Sequence, residues 1–354
     1  MKTAIGCLLL ASGFCAFAEP VQKTKTDLSP IPDNADLVCQ SSVNAGKSDF
    51  GVPATEIYVA DANGDHLTRI TNQQKLYNHI AVSPDRKMIA AGRYDYGDTN
   101  KDGQINAKDR KKLVVLDLEH KQEWAPVPEA DDACVGGVDW TPDGQYIIAS
   151  MKFNNEMNIY RVHPDGTGLE AITRNLGKLL GTPQPIFVSD VSVSFDGKWI
   201  VFLCVTRAGE MCRLTRMRID QTEAHFITDG GGKAAINPKT AWGSGDFDPE
   251  FSPDGQYVSF QRTTPAGIGP AGFPTYDVMR IKIDGTDLLR LSPAGNKAIH
   301  GISDWSADNR IIFNEWNMAE GWSGPVLVNP DGSNYHRIEK LKGCAWVRWI
   351  PAEK

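Results

Sequence analysis

With 354 residues, 41% of them apolar and 23% charged, the chain has material for one large core or two ordinary ones. A formal net charge of −7 argues against a protein that grips nucleic acid by its phosphates, and the apolar fraction excludes a wholly disordered chain. Outside the extreme N-terminus no apolar run reaches the ~18 residues of a membrane span, which excludes a multispan membrane protein.

In chain order, residues 1–18 read as a secretory signal: Lys2 supplies a charge, residues 3–17 an apolar run, and Ala16-Phe17-Ala18 a cleavage site. The run is short for a membrane anchor, and Phe14 before Cys15 does not fit a lipoprotein site. The expected mature chain is periplasmic or secreted, without a transmembrane segment, and carries 36 basic against 44 acidic residues. Residues 19–35, rich in Pro, Asp and Lys, are expected to be a flexible lead-in.

Residues 36–354 carry one repeating plan. Three strands come first, Leu37–Ser42, Glu56–Ala60 and Leu67–Thr71. A turn phrase follows at Ser83-Pro84-Asp85-Arg86 and recurs at Thr141-Pro142-Asp143-Gly144, Ser194-Phe195-Asp196-Gly197, Ser252-Pro253-Asp254-Gly255 and Ser306-Ala307-Asp308-Asn309. Pro presets φ, Asp bonds its own backbone and Gly or Asn takes the left-handed position, so each phrase makes a tight β-hairpin. A second phrase, as in Tyr58-Val59-Ala60-Asp61-Ala62-Asn63-Gly64 and Val162-His163-Pro164-Asp165-Gly166, enters another turn and ends in Ile70-Thr71, Ile172-Thr173, Ile227-Thr228 or Leu291-Ser292. Each unit therefore holds four strands, a to d, at a period near 50, the plan of one propeller blade. The N-terminus lacks a strand a and the C-terminus has an orphan one, Trp346–Ile350. The expected fold is all-β: a six-bladed β-propeller with four-stranded blades, its first blade closed by the C-terminal strand, which removes sheet edges.

Between strands Ile89–Tyr94 and Leu113–Leu118 lies the insertion 98–109, with Asp98, Asn100, Asp102, Asn106 and Asp109 at positions 1, 3, 5, 9 and 12 of a twelve-residue loop. Gly103 stands at the sharp turn, Gln104 offers its backbone carbonyl, and hard oxygens at this spacing suit Ca²⁺. The loop looks like that of an EF-hand, and its Asp109 at the last position resembles dockerin-type loops. Its expected role is structural. The neighbouring Arg110-Lys111-Lys112 reads as a solvated face.

After signal removal five cysteines remain: Cys39, Cys134, Cys204, Cys212 and Cys344. Cys204 and Cys212 flank a hairpin turn, so a cross-strand disulfide and buried free thiols are both open readings. None of the nucleophile-elbow, phosphate-loop or H-E-x-x-H motifs occurs, and Gly230-Gly231-Gly232-Lys233 reads as a flexible connection.

The a–b and c–d turns fall on one face and the b–c and d–a loops on the other. The second face carries the long loops Asn175–Val188, Asp229–Gly245, Thr263–Thr275 and Trp316–Gly324, with Phe187, Trp242, Phe273, Tyr276, Trp316 and Trp322. Those aromatics suit recognition of a protein, peptide or glycan, or they pack their own loops. Before strand a, at the channel mouth, stand His79, Asp139, Asp190, Asp246, Asp248, His300 and Asp304. Imidazoles and carboxylates converging there would hold a second metal, Mn²⁺, Zn²⁺ or Ca²⁺, or act as acid and base on an oligosaccharide, with His79, Asp190, Asp246 and His300 as the catalytic candidates. The alternative is that they hydrate the channel or bind backbone at blade junctions.

The Phe251-Ser252-Pro253-Asp254-Gly255 and Tyr58-Val59-Ala60-Asp61-Ala62-Asn63-Gly64 phrases resemble the WD40-like repeats of TolB-type β-propellers, over residues 36–351. That resemblance implies a periplasmic interaction protein, although similar propellers include peptidase domains and polysaccharide lyases; oligogalacturonate-lyase-like propellers carry a metal at the channel mouth. A binding protein with structural calcium is the expectation, and a metal-dependent lyase-like enzyme the alternative.

Overall fold

The computed structural model describes residues 21–105, 109–207, 211–230, 245–268, 274–293 and 298–352. The expected signal, Asn106, Trp242, Phe273 and most of the Gly230–Lys233 run lie outside them. In chain order, β1 (Thr24–Lys25) precedes β2 (Leu37–Ser41), β3 (Glu56–Ala60) and β4 (Thr68–Arg69). The second blade is β5 (Tyr77–Val82), β6 (Met88–Arg93), β7 (Lys112–Asp117) and β8 (Gln122–Trp124). The third is β9 (Asp132–Trp140), β10 (Ile147–Phe153), β11 (Glu156–Val162) and β12 (Glu170–Ala171), followed by the short helix α1 (Leu176–Leu180). The fourth is β13 (Phe187–Val193), β14 (Trp199–Val205), β15 (Arg213–Arg218) and β16 (Ala224–Phe226). The fifth is β17 (Asp246–Phe251), β18 (Tyr257–Ile268), β19 (Pro274–Lys282) and β20 (Leu289–Arg290), and the sixth β21 (Ile299–Trp305), β22 (Ile311–Asn317), β23 (Trp322–Val328) and β24 (His336–Arg337). The last strand, β25 (Cys344–Trp349), pairs antiparallel with β2, Leu37 opposite Trp349, and gives the first blade the order β25-β2-β3-β4. The fold is a six-bladed propeller of antiparallel four-stranded blades closed by its C-terminal strand.

The repeated phrases act through local hydrogen bonds. Ser83, Thr141, Ser194, Ser252 and Ser306 each donate a hydroxyl proton to the Asp two residues on, at 2.5–2.7 Å. The same oxygen accepts the N–H that starts strand b, from Met88, Tyr146, Trp199, Tyr257 and Arg310, at 2.8–3.0 Å. The fourth turn residue has positive φ in every copy, from 60° at Arg86 to 70° at Gly144. The hydroxyls after strand d work in the same way: Thr71, Thr173, Thr228 and Ser292 accept the buried N–H groups of Ile57, Ile159, Leu214 and Val278 at 2.9–3.2 Å.

The core lies between blades. Alternate side chains of neighbouring sheets meet face to face, as where Ala81, Leu113 and Val115 of the second blade pack on Val138, Trp140 and Ile147 of the third. Leu37, Cys39 and Tyr58 of the first blade likewise pack against Ile312 and Leu327 of the sixth.

Several local expectations change. The lead-in is docked: β1 adds a fifth strand outside β8, Leu28 is buried, and Arg86 donates to the carbonyls of Pro32 and Ala35 at 2.9 and 2.8 Å. Trp316–Gly324 is a hairpin, Asn317 opposite Trp322, with Trp322 buried and Met318 exposed at the tip. The 175–188 segment contains α1, ended by Gly181 in the left-handed region at φ 65°. Lys111 turns inward between Arg110 and Lys112, with its ammonium 5.1 Å from the Tyr94 ring, so only alternate members of that basic run are solvated. No disulfide links Cys204 to Cys212: all five described cysteines are buried thiols, and Cys204 lies opposite Arg213 in the β14–β15 register.

Candidate functional site at the propeller axis

Every innermost strand is broken by a β-bulge. At each one a non-glycine residue takes positive φ: His79 (49°), Cys134 (53°), Asp190 (54°), Asp248 (46°), Ile302 (57°) and Trp346 (53°). Such a backbone costs on the order of 1 kcal/mol per residue and re-aims the chain toward the hub.

Counted back from the turn hydroxyl, or from Ile350 in the closing strand, two layers of side chains cross the channel. The layer four residues back is His79, Gly137, Asp190, Asp248, Ile302 and Trp346, and all six line one narrow cavity of about 30 Å³. That is room for a water or two. The layer two residues back is Ala81, Asp139, Ser192, Glu250, Asp304 and Arg348, and all six line a wider cavity of about 330 Å³. The wider cavity is a funnel that opens among the a–b turns, with Pro84, Pro142, Phe195, Ala307 and Pro351 around it and Trp140, Trp305 and Trp349 in its wall.

The polar groups of these layers hold blades to one another. Asp139 accepts from the N–H of Val193 at 2.8 Å, Asp190 from that of Asp248 at 3.3 Å, and Asp304 from that of Trp349 at 2.7 Å, each reaching the next blade. Arg348 donates to Glu250 at 2.7 Å and stands 3.7 Å from Asp304. Glu250, Asp304 and Asp139 raise the guanidinium above its usual range against the opposing effect of burial. Burial lifts Asp139, Asp304 and Glu250 above the ordinary carboxyl value, although Arg348 opposes this in each case.

In the narrower layer, burial pushes Asp190 up to about 6, and burial with the Asp190 charge pushes Asp248 well up. Gln261 donates to Asp248 at 2.6 Å. His79 packs edge-on against Trp346 at 4.3 Å between ring centres; burial, then Lys111 and Arg348, hold its imidazole well below the usual range. The hub therefore brings together an imidazole and two carboxyls whose charged forms burial disfavours, in a passage too narrow for a sugar ring.

The catalytic candidates do not converge. His79 and Asp190 lie in the narrow layer, but Asp246 and His300 stand two residues further from the turn and point elsewhere. Asp246 makes a two-pronged ion pair with Arg262 at 2.6 and 2.8 Å. His300 is buried edge-on against Phe313 at 5.9 Å, lowered by burial. Among the described residues no group of three His, Cys, Asp or Glu side chains is arranged to hold a metal ion. Glu250 and Arg348 escaped the sequence reading, though the fixed offset from the turn marks both.

In the 98–109 loop, Asp98 accepts from the N–H groups of Asp102 and Gly103 at 3.2 and 2.8 Å, Asn100 from Asp102 at 2.9 Å, and Asp102 from Gln104 at 3.0 Å. Asp109, buried, accepts from the N–H groups of Thr99 and Asn100 at 2.7 and 3.2 Å. Four of the expected side chains thus share one tight loop, Gly103 sits at φ 84°, and the oxygen set includes an asparagine beside the carboxylates.

No protein-family profile and no curated protein matches the chain. Among solved structures, TolB from Acinetobacter baumannii aligns at a TM-score of 0.60 with 14% identity, over 91% of this chain and 68% of that one. A putative TolB from Agrobacterium tumefaciens aligns at 0.56 with 15% identity, over 90% and 99%. The fold is that of the TolB propellers. A chain of a nidogen/laminin complex also aligns, at 0.55 with 8% identity over 89% and 98%, so the TolB-like architecture is shared by proteins of very different sequence. No helix among the described residues of this TolB-like propeller is long and apolar enough to cross a membrane.

Proposed function

We propose that this chain is an exported binding protein whose ligand is a protein segment seated in the axial funnel, with Ca²⁺ pinning the 98–109 loop. One observation carries the reading: the funnel has an apolar wall of Trp, Pro and Phe, and the polar groups on its floor are committed to joining blades. Such a floor can orient a bound group, but it presents no nucleophile or base to turn it over. The site lies among the short turns, opposite the long loops expected to recognise a ligand. Phe195, 45% exposed at the rim, is the handle for a test.

A displayed library of short peptides, selected on the mature protein, is expected to yield binders that lose at least tenfold in affinity against both Phe195→Asp and Ala307→Asp. Binders that ignore both changes would move the site off the funnel, and a library that yields none would remove the peptide reading. For the loop, Asp98, Asn100, Asp102, the Gln104 carbonyl, Asn106 and Asp109 would hold the ion; calcium titration of the purified protein measures it. Cleavage after Ala18, read from the mass of periplasmic material, tests export.

A further inference from the structure

We propose that Cys39 and Cys344 are a disulfide-forming pair that covalently closes the propeller ring. Cys39 lies on β2 and Cys344 opens β25, the two strands whose pairing joins the ends of the chain. Ser41 is directly opposite Cys344, so Cys39, two residues before Ser41, projects from the same face as its diagonal neighbour. A bulge between the Val38–Arg348 and Gln40–Ala345 pairs alters the register there. The two buried thiols share one cluster with Leu37, Tyr58, Leu341 and Val347, close enough for each to perturb the other's acidity. Diagonal same-face positions on paired strands stand near the upper end of the Cα separations that a disulfide spans, so a small backbone adjustment at the bulge together with side-chain rotation brings the sulfurs to the roughly 2.05 Å of the bond.

The chemistry is thiol–disulfide exchange with an external disulfide, either a small molecule such as oxidised glutathione or an oxidoreductase. One cysteine thiolate attacks the oxidant and releases its first thiol as a mixed disulfide forms. The second cysteine thiolate attacks the protein sulfur of that mixed disulfide and releases the second thiol. The protein loses two protons and two electrons, and the oxidant becomes two thiols. Because both thiols are buried, the exchange occurs while β25 is undocked, during folding or local opening. It requires an oxidising disulfide and does not depend on the ligand-binding proposal. Roughly 300 residues lie inside the closed loop, so the bond restricts the unfolded chain strongly.

The test uses the full mature chain refolded in glutathione buffer rich in the oxidised form, then unfolded, alkylated and digested without reduction. The expected result is a Cys39–Cys344 linked peptide, with Cys134, Cys204 and Cys212 alkylated. The thermal midpoint should exceed that of the reduced protein by roughly 5–8 °C, and Cys39→Ser and Cys344→Ser should each abolish the difference. Peptide mapping of the unaltered protein needs no variant to fold. Recovery of both cysteines as alkylated thiols, or a bond mapping to Cys204 and Cys212, would overturn the proposal.

Discussion

The carboxylate of Asp304 on the sixth blade accepts the backbone N–H of Trp349 at 2.7 Å and so fastens the strand that closes the first blade. Its other oxygen accepts the N–H of Trp305 at 2.9 Å. Asp304→Ala leaves both donors unpartnered in a buried site, with an expected loss of about 2–4 kcal/mol. Asp304→Asn keeps one acceptor and should lose less. Guanidinium unfolding of both variants measures the difference; equal losses would mean that the carboxylate does not act through these bonds.

Among the described residues, Arg348 is the one cation lining the funnel floor with Glu250, Asp304 and Asp139. Arg348→Met keeps much of its length and removes the charge. Uncompensated buried carboxylates then remain, and the expected loss near pH 7.5 is about 3–5 kcal/mol. It should shrink near pH 5, where those carboxyls, already raised by burial, take up protons. A loss independent of pH would point to packing alone.

The raised carboxyls of the hub predict a contribution to stability that falls as pH rises. Asp190, near 6 in the fold against about 3.9 in the unfolded chain, gives the folded state more bound protons between those values. Its contribution is therefore fully favourable below pH 4 and is lost as pH rises through 6. From pH 5 to 7.5 this one group should remove about 1–2 kcal/mol. Asp190→Asn, which keeps an acceptor for the N–H of Asp248, should flatten that part of the profile. Unfolding free energies at four or five pH values check it, and an unchanged slope would count against the raised carboxyl.

The blades could be read in the sequence because their punctuation is local. Ser252 bonds Asp254 and the N–H of Tyr257 within one turn, and the residue types alone predict that arrangement. Closure could also be read, since an orphan strand at one end answers a missing strand at the other. The hub could be read only in part: His79, Asp139, Asp190, Asp248 and Asp304 do line the axis, but residue type alone does not say which position of an innermost strand faces it. His79 and His300 look equivalent as polar residues before a turn, yet His79 sits four residues from its turn hydroxyl, in the channel, and His300 six, against Phe313. Arg348 acquires its acidic neighbours only once the ring closes, from residues about 100 positions away in the case of Glu250. The Cys39–Cys344 contact depends on the same closure, whereas Cys204 and Cys212, near in sequence, attracted the pairing that the register denies.

The 98–109 loop carries the last prediction. The backbone N–H groups that Asp98, Asn100, Asp102 and Asp109 accept bend the chain into one tight loop that carries three carboxylates. A cation of suitable size would relieve the repulsion among those carboxylates and add stability by mass action. At a hundredfold excess of free calcium over its dissociation constant the gain is about 2.7 kcal/mol, or a midpoint shift of several degrees for a chain of this size. Asp98→Ala should abolish that calcium-dependent shift. In chelator the same variant should differ from the unaltered protein by no more than about 1 kcal/mol, because only exposed turn hydrogen bonds are lost. Magnesium should substitute poorly, since a loop of flexible oxygens does not enforce the compact octahedron that ion requires. Thermal scans of both proteins in calcium, magnesium and chelator decide the matter: a shift absent from the unaltered protein, or equal losses for Asp98→Ala with and without calcium, would reduce the loop to a hydrogen-bonded turn.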